Sequence, residues 1–265
     1  FGEAVLKNPS WLVNIGGETY LRATSLFPDP HMFSFYLGLL LPLSLGLLLQ
    51  AKEKKTWLAA SFAAIFVADL LTFSRGGYLG LVAGLVFVGI MFWHKIEKKH
   101  KIMVGILAFL GAMIMLVPSP ISQRLFSSFD LKEGSNQGRL AMWEKALEVT
   151  ADKPVLGTGI GNYPLEVLPT AGYREPIYAH NTSLDISAET GTLNVFVWIG
   201  ILGVTFASFW KKSKRERIFF FASISLAIFA VHSITETAIY SPVVLSLFLV
   251  ILSLSNVESA NEKNI

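Results

Sequence analysis

Twelve of the chain's Lys and Arg residues fall in three short clusters, AKEKK at 51–55, HKIEKKHK at 94–101 and KKSKRER at 211–217, each set between long apolar runs. Positive charge at alternate ends of successive apolar stretches marks a multi-pass membrane protein whose basic turns lie in the cytoplasm. Only 15% of the residues are charged and 52% are hydrophobic, against about 25% charged in ordinary soluble chains. The pI near 9.0 would suit nucleic acid, but the excess charge sits in turns where membrane orientation accounts for it, so no nucleic-acid partner is expected. The absence of cysteine excludes disulfides and thiolate chemistry.

Seven apolar stretches occupy residues 32–50, 57–73, 76–93, 102–117, 184–210, 218–237 and 243–254. Crossing roughly 30 Å of hydrocarbon takes about 20 helical residues, so the first six are long enough or nearly so and the seventh is short. A spanning backbone must satisfy its own hydrogen bonds, and the alternation of a β-barrel is absent, which leaves helices. The expectation is an all-α polytopic membrane protein with about seven transmembrane helices. Residues 1–31 form an outer loop, 32–117 four spans, 118–182 a periplasmic loop, 183–254 three spans and 255–265 a cytoplasmic tail. The chain begins at Phe1 in what reads as the middle of a loop, so further spans upstream are expected. Gly80, Ala83 and Gly84 would let the third stretch approach its neighbours closely.

The loop at 118–182 carries six basic and seven acidic residues, so no bulk charge distinguishes it. Within it, Leu140, Trp143 and Leu147 recur at helical spacing over 138–151, and Pro154 limits the helix. An amphipathic helix on the outer membrane face is predicted, with those three residues toward lipid or the bundle and Glu144 and Glu148 toward water. GTGIGN at 157–162 mimics a dinucleotide fingerprint, but no strand precedes it and it reads as turns. No metal-ligand spacing stands out, and neither metal nor cofactor is expected.

Three polar residues share one depth. Arg75, in FSRGGYLG, stands between the second and third stretches beside glycines that permit close approach. Arg139 opens the loop helix, and His180, in YAHNTSL, precedes the fifth stretch. Singly, each reads as an interfacial or snorkelling side chain. Together they offer two guanidinium forks suited to phosphate oxygens and an imidazole able to take a hydroxyl proton near neutral pH. Supporting candidates are Asp69, roughly a turn and a half below Arg75 and a possible partner for it; His232 and Glu236, four apart on one predicted helix face; and Glu189, which shares a face with Asp185. Asn181 adjoins His180, and its N-T-S sequon is a pattern with frequent chance matches.

TFSRGGYLGL, GRLAMWEKALEVTADKPVLGTGIGNY and AHNTSLDISAETGTL resemble successive signatures of the O-antigen ligase family, which also includes Wzy-type polymerases and protein O-oligosaccharyltransferases. RATSLFPDPHMFSFYLGLLLPL is similar to the segment that precedes them. The resemblance spans most of residues 20–250 in order, with ETGTLNVF in place of the commoner ETGILG form and PDPHMF in place of a PN pairing. It implies a GT-C-like glycosyltransferase of the bacterial inner membrane that works without metal or cofactor. Its donor would be an undecaprenyl-pyrophosphate-linked glycan met at the periplasmic face within membrane lipid, and its acceptor lipid A-core or another hydroxyl. The resemblance makes His180 the general base and Arg75 and Arg139 the pyrophosphate ligands. The alternatives are a polymerase or protein oligosaccharyltransferase of the same family and, from another class, a transporter of an anionic substrate, against which stands the absence of detectable repeats or paired broken helices.

Overall fold

The computed structural model describes residues 9–92, 117–172 and 176–257. The basic cluster at 94–101 and the expected fourth span, apart from its last residue, lie outside the described residues. Among those described the fold is helical, with one two-stranded hairpin.

That hairpin lies in the segment read from sequence only as an outer loop. Strands β1 (Leu12–Ile15) and β2 (Glu18–Leu21) pair antiparallel with Ile15 opposite Glu18. Gly16 and Gly17 turn between them at φ of 62° and 87°. Two successive positive φ values suit the right-handed twist of a two-residue hairpin, and glycine adopts them without a Cβ clash. Val13 and Ile15 bury against Phe73 and Ile121, which seats the hairpin on one end of the helical bundle.

Helix α1 (Pro30–Gln50) starts at Asp29, whose carboxylate accepts from the His31 amide at 2.6 Å. Helices α2 (Lys55–Leu71) and α3 (Arg75–Phe92) follow, joined by a turn in which Phe73 has φ of 50°. The loop region carries α4 (Pro120–Phe126), α5 (Gly134–Asp152) and α6 (Tyr163–Val167). The chain closes with α7 (Thr182–Thr190), α8 (Thr192–Lys212), α9 (Arg217–His232) and α10 (Pro242–Ser253).

Helix α9 lies at the centre, packed on α1, α3 and α8. It runs antiparallel to α1: Phe35 stacks on His232, Ser225 Oγ donates to Leu39 O, and Gly46 faces Phe221. It also runs antiparallel to α3, where Gly76, Gly80 and Gly84 face His232, Ile228 and Ile224 in turn. Glycine every fourth residue puts a smooth groove along one helix face, and the backbones close into it. The sequence reading chose Gly80, Ala83 and Gly84; Gly76 rather than Ala83 completes the stripe.

The antiparallel runs sort the polar residues by end. The turn from α1 to α2, with Lys52, Lys54 and Lys55, lies at the same end as the turn from α8 to α9, with Lys211 to Arg217. The starts of α1, α3 and α7 and the end of α9 gather at the opposite end. Between these ends the outer faces are apolar and bare: Leu193, Phe196 and Val204 on α8 are 70, 68 and 73% exposed. Helices α1 and α8 are long and apolar enough to cross a membrane, and only 11% of the most apolar window of α8 is buried, unlike the core helix of a soluble protein. The other helices read as spans are shorter; α10, at 12 residues, extends roughly 18 Å at 1.5 Å per residue.

Three expected elements differ. The fifth stretch is two helices, α7 and α8, because Gly191 between them has φ of 89° and a Cβ there would strike the Val155 and Pro154 carbonyls. The sixth ends at His232, so Glu236 stands in a turn beyond it. In α5, Ala146 and Val149 bury while Leu140 and Leu147 are 45 and 57% exposed. The face that packs on α7 is thus a second one, beside the predicted stripe, whose Leu140 and Trp143 line a pocket against the start of α3 toward the bundle as expected, while Glu144 and Glu148 are exposed as expected. The GTGIGN segment does form turns, and Thr158 and Gly159 amides donate to the Ala188 and Glu189 carbonyls at the end of α7.

Candidate functional site

His180 sits immediately before α7 in a left-handed conformation, φ 53°. Asn181 caps that helix, its side-chain oxygen accepting from the Ser183 and Leu184 amides at 3.0 and 3.2 Å. Thr182 then stitches the helix start to the turn after α9: its amide donates to Ser233 O at 2.9 Å and its hydroxyl to Glu236 O at 3.1 Å. Asp185 accepts from the Ala179 amide at 2.8 Å and from the Thr237 hydroxyl. Glu189 accepts from Tyr240 OH at 2.6 Å. This zipper holds His180 against Glu236.

The Glu236 carboxylate takes His180 Nδ1 at 2.5 Å through one oxygen and 2.8 Å through the other, and Arg139 Nη2 at 3.2 Å. A carboxylate only accepts, so Nδ1 carries a proton, and in the neutral ring Nε2 keeps its lone pair. Burial disfavours an imidazolium, but the Glu236 charge and hydrogen bond outweigh it and raise the His180 pKa above its ordinary value. Burial likewise opposes charge on Glu236, yet His31, His180 and Arg139 hold its carboxyl well below the usual carboxylate range. Glu236 therefore pairs with His180 rather than with His232, as the four-residue spacing suggested.

Arg75 opens α3 and is 2% exposed. Its fork donates to Glu133 Oε2 at 2.8 Å, Ser135 Oγ at 2.6 Å and Ser127 O at 3.3 Å. Glu133 also caps α5, accepting from the Asn136 amide at 3.0 Å, so one carboxylate ties the loop helix to the start of α3. Asp69 is not the partner of Arg75: it accepts from Ser34 Oγ at 2.7 Å, which joins α2 to α1.

Two concavities adjoin. A cavity of about 890 Å³ is lined by His180, Glu236, Asp29, His31 and aromatic side chains including Phe27, Tyr36, Tyr178 and Tyr240. A smaller one of about 160 Å³ is lined by Arg75, Arg139 and Thr235 among others. The three residues singled out from sequence are thus not in one cavity: the arginines share the small one, His180 lines the large one, and the Glu236 carboxylate, which bonds both Arg139 and His180, links the two.

Sequence reasoning passed over Arg22, His31, Arg124 and Glu133. Arg22 donates to Thr72 O at 2.7 Å and Ser10 O at 3.1 Å, and its Nη2 lies 3.3 Å from His31 Nε2. Since guanidinium only donates, His31 Nε2 accepts and its Nδ1–H donates to Ser74 Oγ at 2.9 Å. Ser74 Oγ in turn meets His232 Nε2 at 3.2 Å. Both His31 nitrogens are thus occupied. Burial lowers Arg22 and Arg124 to about 10 each. Arg124 feels the charges of Arg75, Arg22 and Arg139, so four guanidiniums gather around Glu133 and Glu236. The RATSLFPDPH segment held the available signal, an arginine and a histidine next to a helix start.

The described residues thus form a helical bundle with bare apolar flanks and an arginine-rich, histidine-bearing polar end, the build of a membrane protein. The chain belongs to the O-antigen ligase family, whose model matches residues 59–199. At that level it is a membrane glycosyltransferase of ligase or polymerase type. The matched segment contains Arg75, Arg139 and His180 and stops short of Glu236. No curated protein matches the chain.

Proposed function

We propose that the protein transfers a glycan from undecaprenyl pyrophosphate to an acceptor hydroxyl, joining O-antigen to lipid A-core at the periplasmic face of the inner membrane. The observation that carries this reading is the Glu236 carboxylate held between His180 and Arg139. It joins a base to a phosphate-binding cation across two adjoining cavities, one for the acceptor and one for the donor headgroup. His180 Nε2 takes the acceptor proton as the hydroxyl oxygen attacks the anomeric carbon. The bond from that carbon to the pyrophosphate oxygen breaks with inversion, and undecaprenyl pyrophosphate leaves with the electron pair. Arg75 and Arg139 stabilise the charge that develops on it. Glu236 keeps His180 in the tautomer that presents Nε2, and no metal enters the step.

In this reading the basic turns are cytoplasmic, α1, α2, α3, α8, α9 and α10 are spans, and the loop helices lie on the periplasmic surface. A polymerase or protein oligosaccharyltransferase would use the same chemistry on another acceptor. The test incubates the full-length protein in lipid nanodiscs with a defined undecaprenyl-pyrophosphate glycan and, separately, lipid A-core, a growing glycan or a Ser-containing protein. Transfer to lipid A-core that disappears in His180→Ala is the expected result. Transfer to another acceptor alone overturns the ligase assignment, and undiminished transfer by His180→Ala overturns the mechanism.

A further inference from the structure

Buried polar atoms without a hydrogen-bond partner are rare in folded proteins, and each calls for an explanation. Among the described residues there are six such atoms; Asp69 Oδ2 and Ser233 Oγ lie elsewhere, and the other four are Arg75 Nε, Ser128 Oγ, Arg139 Nε and Trp143 Nε1. All four belong to residues that line the small pocket. Their convergence follows from the chain's local geometry. On α5, Asn136, Arg139, Leu140 and Trp143 fall at i, i+3, i+4 and i+7 and so share one helix face. That face lies over Arg75, Gly76 and Leu79 at the start of α3, while the 3-10 turn Ser127–Phe129 brings in Ser128. Asn136 is already spent, its amide donating to Ser127 O and Asp130 O at 2.9 and 2.8 Å. Three N–H groups and a hydroxyl, on four residues that line a space of about 160 Å³, are left without acceptors.

We propose that Ser128 and Trp143 are donors to the diphosphate of the lipid carrier, completing a four-residue anion pocket with Arg75 and Arg139. This rests on the donor reading given above. Indole N–H is a donor with no acceptor capacity, as is guanidinium, so a ligand that satisfies all three must bring several acceptor oxygens. A diphosphate does so, and a neutral sugar, which brings a donor with each hydroxyl, fits less well. Leu79, Leu131 and Leu140 complete the pocket wall, an apolar flank suited to the first isoprene units of a prenyl chain. Trp143, placed by its spacing on an apolar stripe, thus contributes a polar handle, as indoles at membrane interfaces do.

The test uses Trp143→Phe, which keeps the ring and removes the N–H, and Ser128→Ala, both in the full chain in nanodiscs. Binding of undecaprenyl pyrophosphate, undecaprenyl phosphate and inorganic pyrophosphate is measured for each. A hydrogen bond to a charged group contributes enough that its loss weakens binding roughly tenfold. Each variant is expected to lose about that factor for the two diphosphates and less for the monophosphate, while the acceptor KM and the pH profile of transfer stay at their wild-type values. Unchanged diphosphate affinity in both variants overturns the proposal, and so does equal weakening of monophosphate and diphosphate. If instead Arg75 and Arg139 variants lose diphosphate while Trp143→Phe and Ser128→Ala do not, the donor reading stands and this assignment alone falls. If the wild-type protein binds no diphosphate, both fall.

Discussion

At the scale of single residues, the site is governed by what Glu236 does to its neighbours. Because its charge raises the His180 pKa, the base form of His180 gains population only as pH rises past the usual histidine range of about 6.5. Transfer is therefore expected to increase with pH through a midpoint above that value. Glu236→Gln removes the charge but keeps the shape, so the midpoint should fall while the plateau rate also drops, since the tautomer is no longer enforced. A pH–rate profile of the two proteins checks this, and an unmoved midpoint would show that Glu236 does not control the base. Arg75→Lys loses the fork that reaches Glu133 and Ser135 together. A point charge cannot reproduce it, and donor affinity is expected to fall by about 2 kcal/mol, within the range for hydrogen bonds to charged groups, in a lipid-binding assay. His31 and His232, by contrast, are held in the chain from Arg22 through Ser74, and His31→Asn should leave the pH midpoint in place. The sequence drew attention to Arg75, Arg139 and His180 because the charge pattern of the turns leads one to expect them at one depth. It did not expose Arg22, Glu133 or the partner of Glu236, because those contacts form only when segments 50 to 97 residues apart fold together.

At the scale of elements, periodicity and turn chemistry carried different amounts of information. Long apolar runs announced α1, α2, α3 and α10 within a few residues, since a spanning stretch needs little beyond continuity, and α8 and α9 only in part. The break at Gly191 and the early end of α9 were missed because an average over a long apolar stretch hides short polar patches, Glu189, Thr190, Thr192 and Asn194 around the break and Ser233, Thr235 and Glu236 after His232. The clue at Gly191 was a lone glycine, which hydropathy treats as neutral. The hairpin was legible in Gly16-Gly17, but a membrane reading steers attention away from strands. The α3–α9 contact gives a direct test. A Cβ at Gly80 would come within 2.9 Å of the Ile228 carbonyl oxygen, whereas one at Gly89 on the same helix meets nothing within 4 Å. Backbone cannot move aside as a side chain can, so Gly80→Val is expected to destabilise the bundle by about 1–3 kcal/mol. Gly89→Ala should be neutral or stabilising by up to about 1 kcal/mol through helix propensity. Thermal unfolding in detergent compares the two, and equal effects would mean that the glycine stripe does not set the packing distance.

At the scale of the whole molecule, two independent features point the same way along the bundle axis. The antiparallel packing of α9 on α1 and α3 puts the basic turns 51–55 and 211–217 at one end, and the hydrogen-bonded polar site forms at the other. Charge asymmetry between ends orients a membrane protein because cationic loops are retained on the cytoplasmic side. A site that must meet a lipid-carried glycan benefits from opening at the surface while its flanks stay in hydrocarbon, and the bare faces of α3, α8 and α10 provide such flanks. Orientation then has a definite experimental form, helped by the absence of native cysteine. Cysteine placed singly at Lys54 or Lys212 is expected to resist a membrane-impermeant thiol reagent in intact spheroplasts and to react after permeabilisation. Cysteine in place of Glu148, on the exposed face of α5, should react in both. Arg139 and His180 are poorer reporters, because Arg139 is largely buried and both are bonded to Glu236. Labelling of Lys54→Cys and Lys212→Cys in sealed spheroplasts, with protection of Glu148→Cys, would invert the molecule, placing the arginine pocket in the cytoplasm and removing the basis for a periplasmic transfer reaction while leaving the packing of the bundle untouched.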